Sequence, residues 1–368
     1  MGGTSPRFSR IIPLIIVLLT ALACPAFSED IQALITKAEG GDPEAQANLG
    51  AAYQRGVGVP KNYAEAVKWY RKAAEQGNTN AQYLLGLAYL GGHGVPKDYT
   101  EAAKWLRKAA DQGDANAQHT LGRAYFMGQG VPEDYAEGLK WIRKAAEQGV
   151  AQAQYNLGRV FEVGWGVPKD HTEAVKWYRK AAEQGYVDAQ YRLGRAYSDG
   201  LGIPQDYAES VKWYRKAAEQ GHREAQAQLA AMYNQGLGVP QDYAESVKWD
   251  RRAAEQGDAS AQFALGGSYY YGQGVSQDYA EAKKWFLKSA EQGFLSAQFS
   301  LAHLYYKGDG IPQDYLLAYF WFSLSASGSG GKLDSARLRD EAAKKLTPGQ
   351  LEKAQQMIRQ WEAKHPRK

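Results

Sequence analysis

The chain has 368 residues, a formal net charge of +4, 44% hydrophobic residues and 23% charged residues. This composition is typical of a globular protein, and the small positive charge argues against nucleic acid as a partner. The single cysteine, Cys24, excludes an internal disulfide and a multi-cysteine metal site.

Residues 1–28 are predicted to be an export signal. Arg7 and Arg10 precede an apolar run at residues 11–23, and small residues up to Ser28 fit a cleavage site. The run is 13 residues long, whereas a membrane-spanning helix needs about 20. We therefore expect cleavage after Ser28 and a periplasmic or secreted protein, with a lipid anchor through Cys24 as the alternative.

Residues 29–41 are predicted to form a short leading helix, and residues 42–328 form eight repeats of 36 residues. Three series of residues keep this spacing throughout, which is the signature of a solenoid. The first is the alanine of an Ala-Gln pair: Ala45, Ala81, Ala117, Ala153, Ala189, Ala225, Ala261 and Ala297. The second is Trp69, Trp105, Trp141, Trp177, Trp213, Trp249, Trp285 and Trp321. The third is Tyr53, Tyr89, Tyr125, Phe161, Tyr197, Tyr233, Tyr269 and Tyr305.

Each repeat is predicted to be a pair of helices. In the first repeat, Asp42 and Pro43 mark a helix start, and the Gly56–Pro60 segment marks its end. Asn62 with Glu65 has the spacing of a capping box at the start of the second helix. The same spacing recurs, with aspartate in place of asparagine, as Asp98/Glu101, Asp134/Glu137, Asp170/Glu173, Asp206/Glu209, Asp242/Glu245 and Asp278/Glu281. No single repeat can bury its apolar stripe alone, so neighbouring repeats must stack.

The pattern Ala-Gln-x-x-Leu-Gly-x-x-Tyr, followed by Gly-x-Gly-Val-Pro-x-Asp-Tyr-x-Glu-Ala-x-x-Trp-x-x-Lys-Ala-Ala-x-x-Gly, resembles the Sel-one-like repeat family, a relative of the tetratricopeptide repeats. The resemblance implies an all-α, right-handed superhelical solenoid of antiparallel helix pairs. It also implies a scaffold for protein–protein interactions, often at bacterial envelopes. The cysteine pairs of some secreted relatives are absent here, so their disulfide bracing is not expected.

Residues 329–368 are predicted to be capping helices and a basic tail. Leu333 to Leu346 and Pro348 to Trp361 have helical patterns, and Thr347 with Gln350 has the spacing of a capping box. Terminal units of a solenoid need a soluble outer face. These helices are therefore expected to close the end of the array.

The sequence offers no catalytic or metal-binding constellation, so we predict no cofactor, no metal and no enzyme activity. The histidines occupy unrelated repeat positions without metal-ligand spacing. Ser329 to Lys332 formally matches the Ser-x-x-Lys motif of β-lactam-reactive enzymes, but it lies in a glycine-rich linker without a Lys-Thr-Gly motif. A hydrolase acting on β-lactams or cell-wall compounds is therefore the weakest alternative.

Candidate binding residues lie on one face of the first helices, where the repeats differ from one another. The arginines Arg123, Arg159 and Arg195 form a possible ladder with Tyr155 and Tyr191. An aromatic zone follows, and its candidate residues are Phe263, Tyr270, Phe299 and Tyr306, next to Tyr271. Arginine and tyrosine are enriched at interfaces, but a merely solvated polar face is an open alternative.

We therefore predict an exported scaffold of the bacterial envelope that holds a protein or peptide in its concave groove. The alternative is a binder of cell-wall polysaccharide or peptidoglycan, for which the aromatic zone is the docking strip. Whether the groove or the outer face binds the partner stays open at this point, as does self-association. No integral membrane span is expected after signal cleavage.

Overall fold

The computed structural model describes residues 25–328 and 333–365. Three segments lie outside this part. They are residues 1–24 of the predicted signal, the Ser-x-x-Lys match in the linker at 329–332, and the end of the basic tail at 366–368. Every element that it contains is a helix, and there are 19 of them. They form two compact units, of which the first ends at Trp141 and the second begins at Ile142.

The first unit contains six helices and the start of a seventh. They are α1 (Pro25–Glu39), α2 (Pro43–Arg55), α3 (Tyr63–Glu75), α4 (Thr79–Gly91), α5 (Tyr99–Asp111) and α6 (Ala115–Met127), followed by α7 (Tyr135–Glu147), in which the unit boundary falls. Helices α2 to α7 all have the same length, 13 residues. The leading helix α1 begins at Pro25, before the predicted start at residue 29.

The second unit continues the same helix–turn–helix pattern and ends in two additional helices. The pairs are formed by α8 (Ala151–Val163), α9 (His171–Glu183), α10 (Val187–Asp199), α11 (Tyr207–Glu219), α12 (Arg223–Gln235), α13 (Tyr243–Glu255), α14 (Ala259–Tyr271), α15 (Tyr279–Glu291), α16 (Leu295–Lys307) and α17 (Tyr315–Gly328). The additional helices are α18 (Leu333–Ala343) and α19 (Pro348–Lys364). Both α18 and α19 pack against α17, and their role as a C-terminal cap stays a prediction.

The helix ends follow from the local sequence. The Asp42 carboxylate accepts hydrogen bonds from the backbone N–H groups of Glu44 at 2.8 Å and Ala45 at 3.1 Å. Pro43 occupies the first turn, where its missing N–H costs nothing. At the other end Gly56 has a φ of 75°, a left-handed conformation that glycine adopts without strain. The predicted start and end of this helix are thus confirmed.

Only half of each predicted capping box in the repeats is present. The Asp98 carboxylate accepts a hydrogen bond from the N–H of Glu101 at 3.0 Å, as predicted. The reciprocal bond is replaced, because the N–H of Asp98 donates to the carbonyl of Tyr89 in the preceding helix. Glu101 instead pairs with Lys104 at 2.6 Å. The sequence could not show this competition, since it depends on the packing of two helices.

The Ala-Gln pairs join consecutive helices. In the first unit, the Gln82 amide donates to the Ala74 carbonyl at 3.1 Å and accepts from Gln112 at 2.7 Å. In the second unit Gln190 makes the same two bonds, to Ala182 at 3.2 Å and from Gln220 at 2.8 Å. A buried amide needs such partners, because an unsatisfied one is costly. This requirement explains why glutamine recurs beside the buried alanine.

Candidate functional site

The candidate residues of the second unit lie on the first helix of each pair, where aromatic rings are stacked. Tyr155 lies 5.8 Å from Tyr178 and 5.1 Å from Tyr186, measured between ring centroids. Tyr191 lies 5.8 Å from Tyr214 and 4.6 Å from His222. Both predicted tyrosines are half-buried in these three-ring stacks. Their main observed contacts are therefore within the chain, and their predicted role toward a partner stays a prediction.

The three arginines of the proposed ladder differ in their surroundings. Arg123 is exposed and belongs to the first unit, whereas Arg159 and Arg195 belong to the second. The Arg159 guanidinium lies over the ring of Trp165, 5.2 Å from its centroid. The Arg195 Nε lies 3.1 Å from the Asp199 carboxylate. Two of the three guanidinium groups thus contact neighbouring side chains, and the ladder remains a prediction from the sequence.

The aromatic zone at the C-terminal end of the second unit surrounds an open pocket of about 220 Å³. Three helices supply its walls, α14, α15 and α16. The lining residues are Phe263, Gly267, Tyr270, Tyr271, Phe286, Phe299, Ser300 and His303. Because rings cover most of the wall, the pocket offers an apolar surface to whatever enters it. An apolar pocket with a few polar groups is a candidate binding site.

Gly267 opens this pocket. The equivalent positions in other repeats carry larger side chains, for example Leu87 and Arg195. A Cβ atom placed on Gly267 meets no atom within 4 Å, so the missing side chain leaves free space. Glycine inside a helix costs about 1 kcal/mol relative to alanine. Helix packing does not demand glycine here, and the position is explained by the space that it leaves.

Tyr271 forms the exposed edge of the pocket. Its side chain is 69% exposed, the largest value among the exposed large hydrophobic residues of the described chain. Its ring lies edge-on to Tyr270, with centroids 4.9 Å apart. An exposed aromatic ring beside an apolar pocket is the arrangement expected of an interface anchor.

Two polar groups of the pocket, Tyr270 and His303, have pKa values that favour their neutral forms. The Tyr270 hydroxyl donates to the Asp309 carboxylate at 2.8 Å. Burial, followed by this hydrogen bond, raises the pKa of Tyr270 to about 12. Burial, and then the charge of Lys307, lower the pKa of His303 below its ordinary value. A neutral histidine suits an apolar pocket, because a buried charge is costly there.

Three of the predicted aromatic residues meet at this pocket, namely Phe263, Tyr270 and Phe299. Tyr306 does not line it. Its ring packs on Tyr315 at 5.6 Å, and its hydroxyl lies 3.4 Å from the Glu341 carboxylate of α18. Gly267 and His303 were not among the predicted site residues, although both stand at a variable repeat position. The signal that points to Gly267 is the loss of a side chain where other repeats have one.

The described part of the chain shows no feature of a metal centre or a membrane span. Among these residues no group of three or more His, Cys, Asp or Glu side chains is placed to hold a metal ion. None of the helices in the same part is long and apolar enough to cross a bilayer.

Tandem helix pairs with a shared set of helix caps and glutamine hydrogen bonds define a repeat protein of the all-α solenoid class. The Sel1 repeat matches eight consecutive segments of the chain. They cover residues 43–78, 79–114, 115–150, 151–186, 187–222, 223–258, 259–294 and 295–329. The chain belongs to the Sel1 repeat family, whose fold is generally a non-catalytic scaffold for protein–protein interactions.

Two solved structures illustrate the relationship. A Sel1 repeat protein from Oxalobacter formigenes is 36% identical, with a TM-score of 0.62, over 84% of this chain and 89% of its own. A protective antigen of uropathogenic Escherichia coli strains, which displays the same repeat fold, is 33% identical. Its TM-score is 0.51, over 92% of this chain and 87% of its own. Among curated proteins no significant match was found.

Proposed function

We propose that the protein is an exported scaffold that binds a protein partner, and that the pocket between α14 and α16 receives an apolar side chain of that partner. The pocket opened by Gly267 beside the exposed Tyr271 carries this proposal. It lies on the face of the first helices that the sequence marks as variable. Sel1 repeats typically bind proteins, which supports a protein as the occupant.

The pocket has the size and chemistry of an anchor site. Its volume of about 220 Å³ accommodates one large aliphatic or aromatic side chain. Burying such a side chain contributes about 1.5–3 kcal/mol, which is the magnitude expected of a hot spot at the centre of an interface. Within the second unit, half-buried rings and the exposed Arg195 are proposed to supply further contacts.

Export to the bacterial envelope is part of the proposal. It is supported by the basic and apolar segments of residues 1–28 and by the small residues that precede Glu29. Anchoring through Cys24 is the alternative mode of attachment. The polysaccharide alternative stays a prediction from the sequence, and so does the concave groove as the place where the partner lies.

Photocrosslinking from the pocket edge tests the proposal. Tyr271 is replaced with p-benzoylphenylalanine in the full chain, cells are irradiated, and crosslinked proteins are identified. The matched control carries the same amino acid at Tyr243, which is 36% exposed in the same unit. We expect a partner that crosslinks from position 271 and disappears when Gly267→Leu is added. Identical products from both positions would show that capture is unspecific and would contradict the proposal.

A further inference from the structure

Repeat six, residues 223–258, lacks the ring stack that its neighbours contain. In repeats four, five and seven, three rings fill the space between consecutive helices; in repeat seven Phe263 lies 5.8 Å from Phe286 and 5.4 Å from Phe294. The equivalent residues of repeat six are Ala227, Asp250 and Asp258. A methyl group and two carboxyl groups thus stand where the neighbouring repeats have aromatic rings.

Asp250 is a core residue despite its carboxyl group. It is 6% exposed and lies on the face of α13 that also buries Ser246, Val247 and Trp249. The corresponding residues Leu106, Tyr214 and Phe286 are apolar or aromatic and belong to the core. No ion pair between Asp250 and a cation occurs within the described residues. A buried carboxylate without a counter-ion is unfavourable, so its protonated form is favoured.

The charged groups around Asp250 do not relieve this cost. At the start of α14, the charge of Asp258 opposes the ionisation of Asp250, while the Asp258 carboxylate accepts a hydrogen bond from the N–H of Ala261 at 2.9 Å. On α12 the charged residues are Arg223 and Glu224, which pair with each other at 2.5 Å. Arg223 also lies 3.8 Å from Asp258. Burial, followed by the charge of Asp258, raises the pKa of Asp250 to about 8.

We propose that the Asp250–Asp258 carboxyl pair makes repeat six a pH-responsive segment of the second unit, in which α13 packs more weakly against α12 and α14 as the pH rises. The inference does not depend on the partner-binding function proposed above. Its basis is the replacement of a ring stack in the core by two acids. The same α13 is bonded to α14 through Arg251 and Tyr269 at 2.6 Å, so its loosening reaches the helix that carries Gly267.

The direction of the pH effect follows from proton linkage. An unfolded aspartic acid has a pKa of about 3.9, below the value of about 8 in the folded chain. Between these values the folded state holds a proton that the unfolded state has lost. Stability therefore falls as the pH rises from about 4 to about 8 and is level above that. One such proton changes the opening equilibrium up to tenfold per pH unit.

Hydrogen exchange of the full chain at several pH values between 5 and 9 tests the proposal. Wild type and Asp250→Asn are compared at the same pH, so intrinsic exchange rates cancel. We expect the protection of α13 in Asp250→Asn, relative to wild type, to grow more than tenfold between pH 5 and pH 8 and then to level off. Peptides of α9 and α10, in the same unit, are expected to show no such trend.

Two further variants keep the test decisive. Asp250→Phe places an aromatic ring at this position. Repeat eight shows that the ring fits, because Phe322 and Ala302 are both buried there and correspond to Asp250 and Ala230 of repeat six. Asp250→Phe is expected to remove the pH trend even if Asp250→Asn folds poorly. Glu219→Gln changes an exposed acid at the end of α11 and should leave the trend intact. A protection ratio that stays constant with pH in both Asp250 variants overturns the proposal.

Discussion

The ring of Tyr178 lies directly on the backbone of Gly158, so that a Cβ atom on this glycine falls 2.6 Å from the ring. The same relationship joins Gly194 to Tyr214 and Gly266 to Phe286, at 2.7 and 2.6 Å. Each glycine lets the second helix of a pair approach the first. The recurrence of Leu-Gly in six of the eight repeats follows from this close approach, whereas repeats six and eight have Ala230 and Ala302 at the same position.

This contact predicts opposite effects for two glycine substitutions. Gly158→Ala forces the Tyr178 ring to move and is expected to destabilise the fold by about 1–3 kcal/mol, as overpacking does. Gly267→Ala meets open space and is expected to stabilise it by about 0.5–1 kcal/mol through helix propensity. Urea unfolding monitored by circular dichroism measures both. Equal effects of the two changes are incompatible with the packing described.

The helix caps predict a second pair of unequal effects. Asp98→Ala removes the acceptor for two backbone N–H groups, at 2.9 and 3.0 Å, and is expected to cost about 1 kcal/mol. Glu101→Ala removes an exposed ion pair with Lys104 and is expected to cost less than Asp98→Ala does, with a further reduction at high salt. Urea unfolding at two salt concentrations separates them. A salt-independent loss at Glu101 as large as that at Asp98 contradicts the half-box geometry.

The repeat period alone predicted the helix pairs, their N-caps and their glycine ends, because these depend on neighbouring residues in the chain. The sequence also placed Phe263, Tyr270 and Phe299 in one zone, and they do line one pocket. It did not reveal that Tyr306 contacts Glu341 instead, since that contact joins α16 to a helix outside the repeats. It could not reveal the pocket at Gly267 either, because free space is a property of three packed helices.

The burial of Asp250 was also not predicted from the sequence. An acid one residue after the invariant tryptophan reads as an ordinary charged residue on a helix. The burial of Asp250 and of the equivalent residues in other repeats, such as Tyr178 and Tyr214, shows that this residue faces the core. Likewise Arg159 appeared in the sequence as one of three equivalent arginines, but it stacks on Trp165.

The arginine ladder predicts a different outcome from the pocket, and one variant separates them. Charge reversal of the exposed Arg123 and Arg195 to glutamate, with Arg159 kept because it contacts Trp165, is expected to leave the partner anchored at the pocket and to weaken its binding by less than about tenfold. Exposed rim charges alter association rates and salt dependence more than affinity. Circular dichroism serves as the control for folding. Complete loss of the partner with intact helicity would instead place the main binding site at the arginines.

The affinity of the crosslinked partner for Gly267→Leu tests the central claim most directly. Leucine at position 267 reproduces the residue at position 87, its Cβ atom meets no atom within 4 Å, and its isobutyl group is expected to occupy the pocket. Calorimetry with purified full-length protein compares it with wild type and with Gly267→Ala, whose methyl group occupies little of the pocket. We predict that Gly267→Leu raises the Kd at least about tenfold, which corresponds to about 1.4 kcal/mol, with an undiminished Tm. An unchanged Kd for Gly267→Leu would contradict the assignment of this pocket as the partner-binding site.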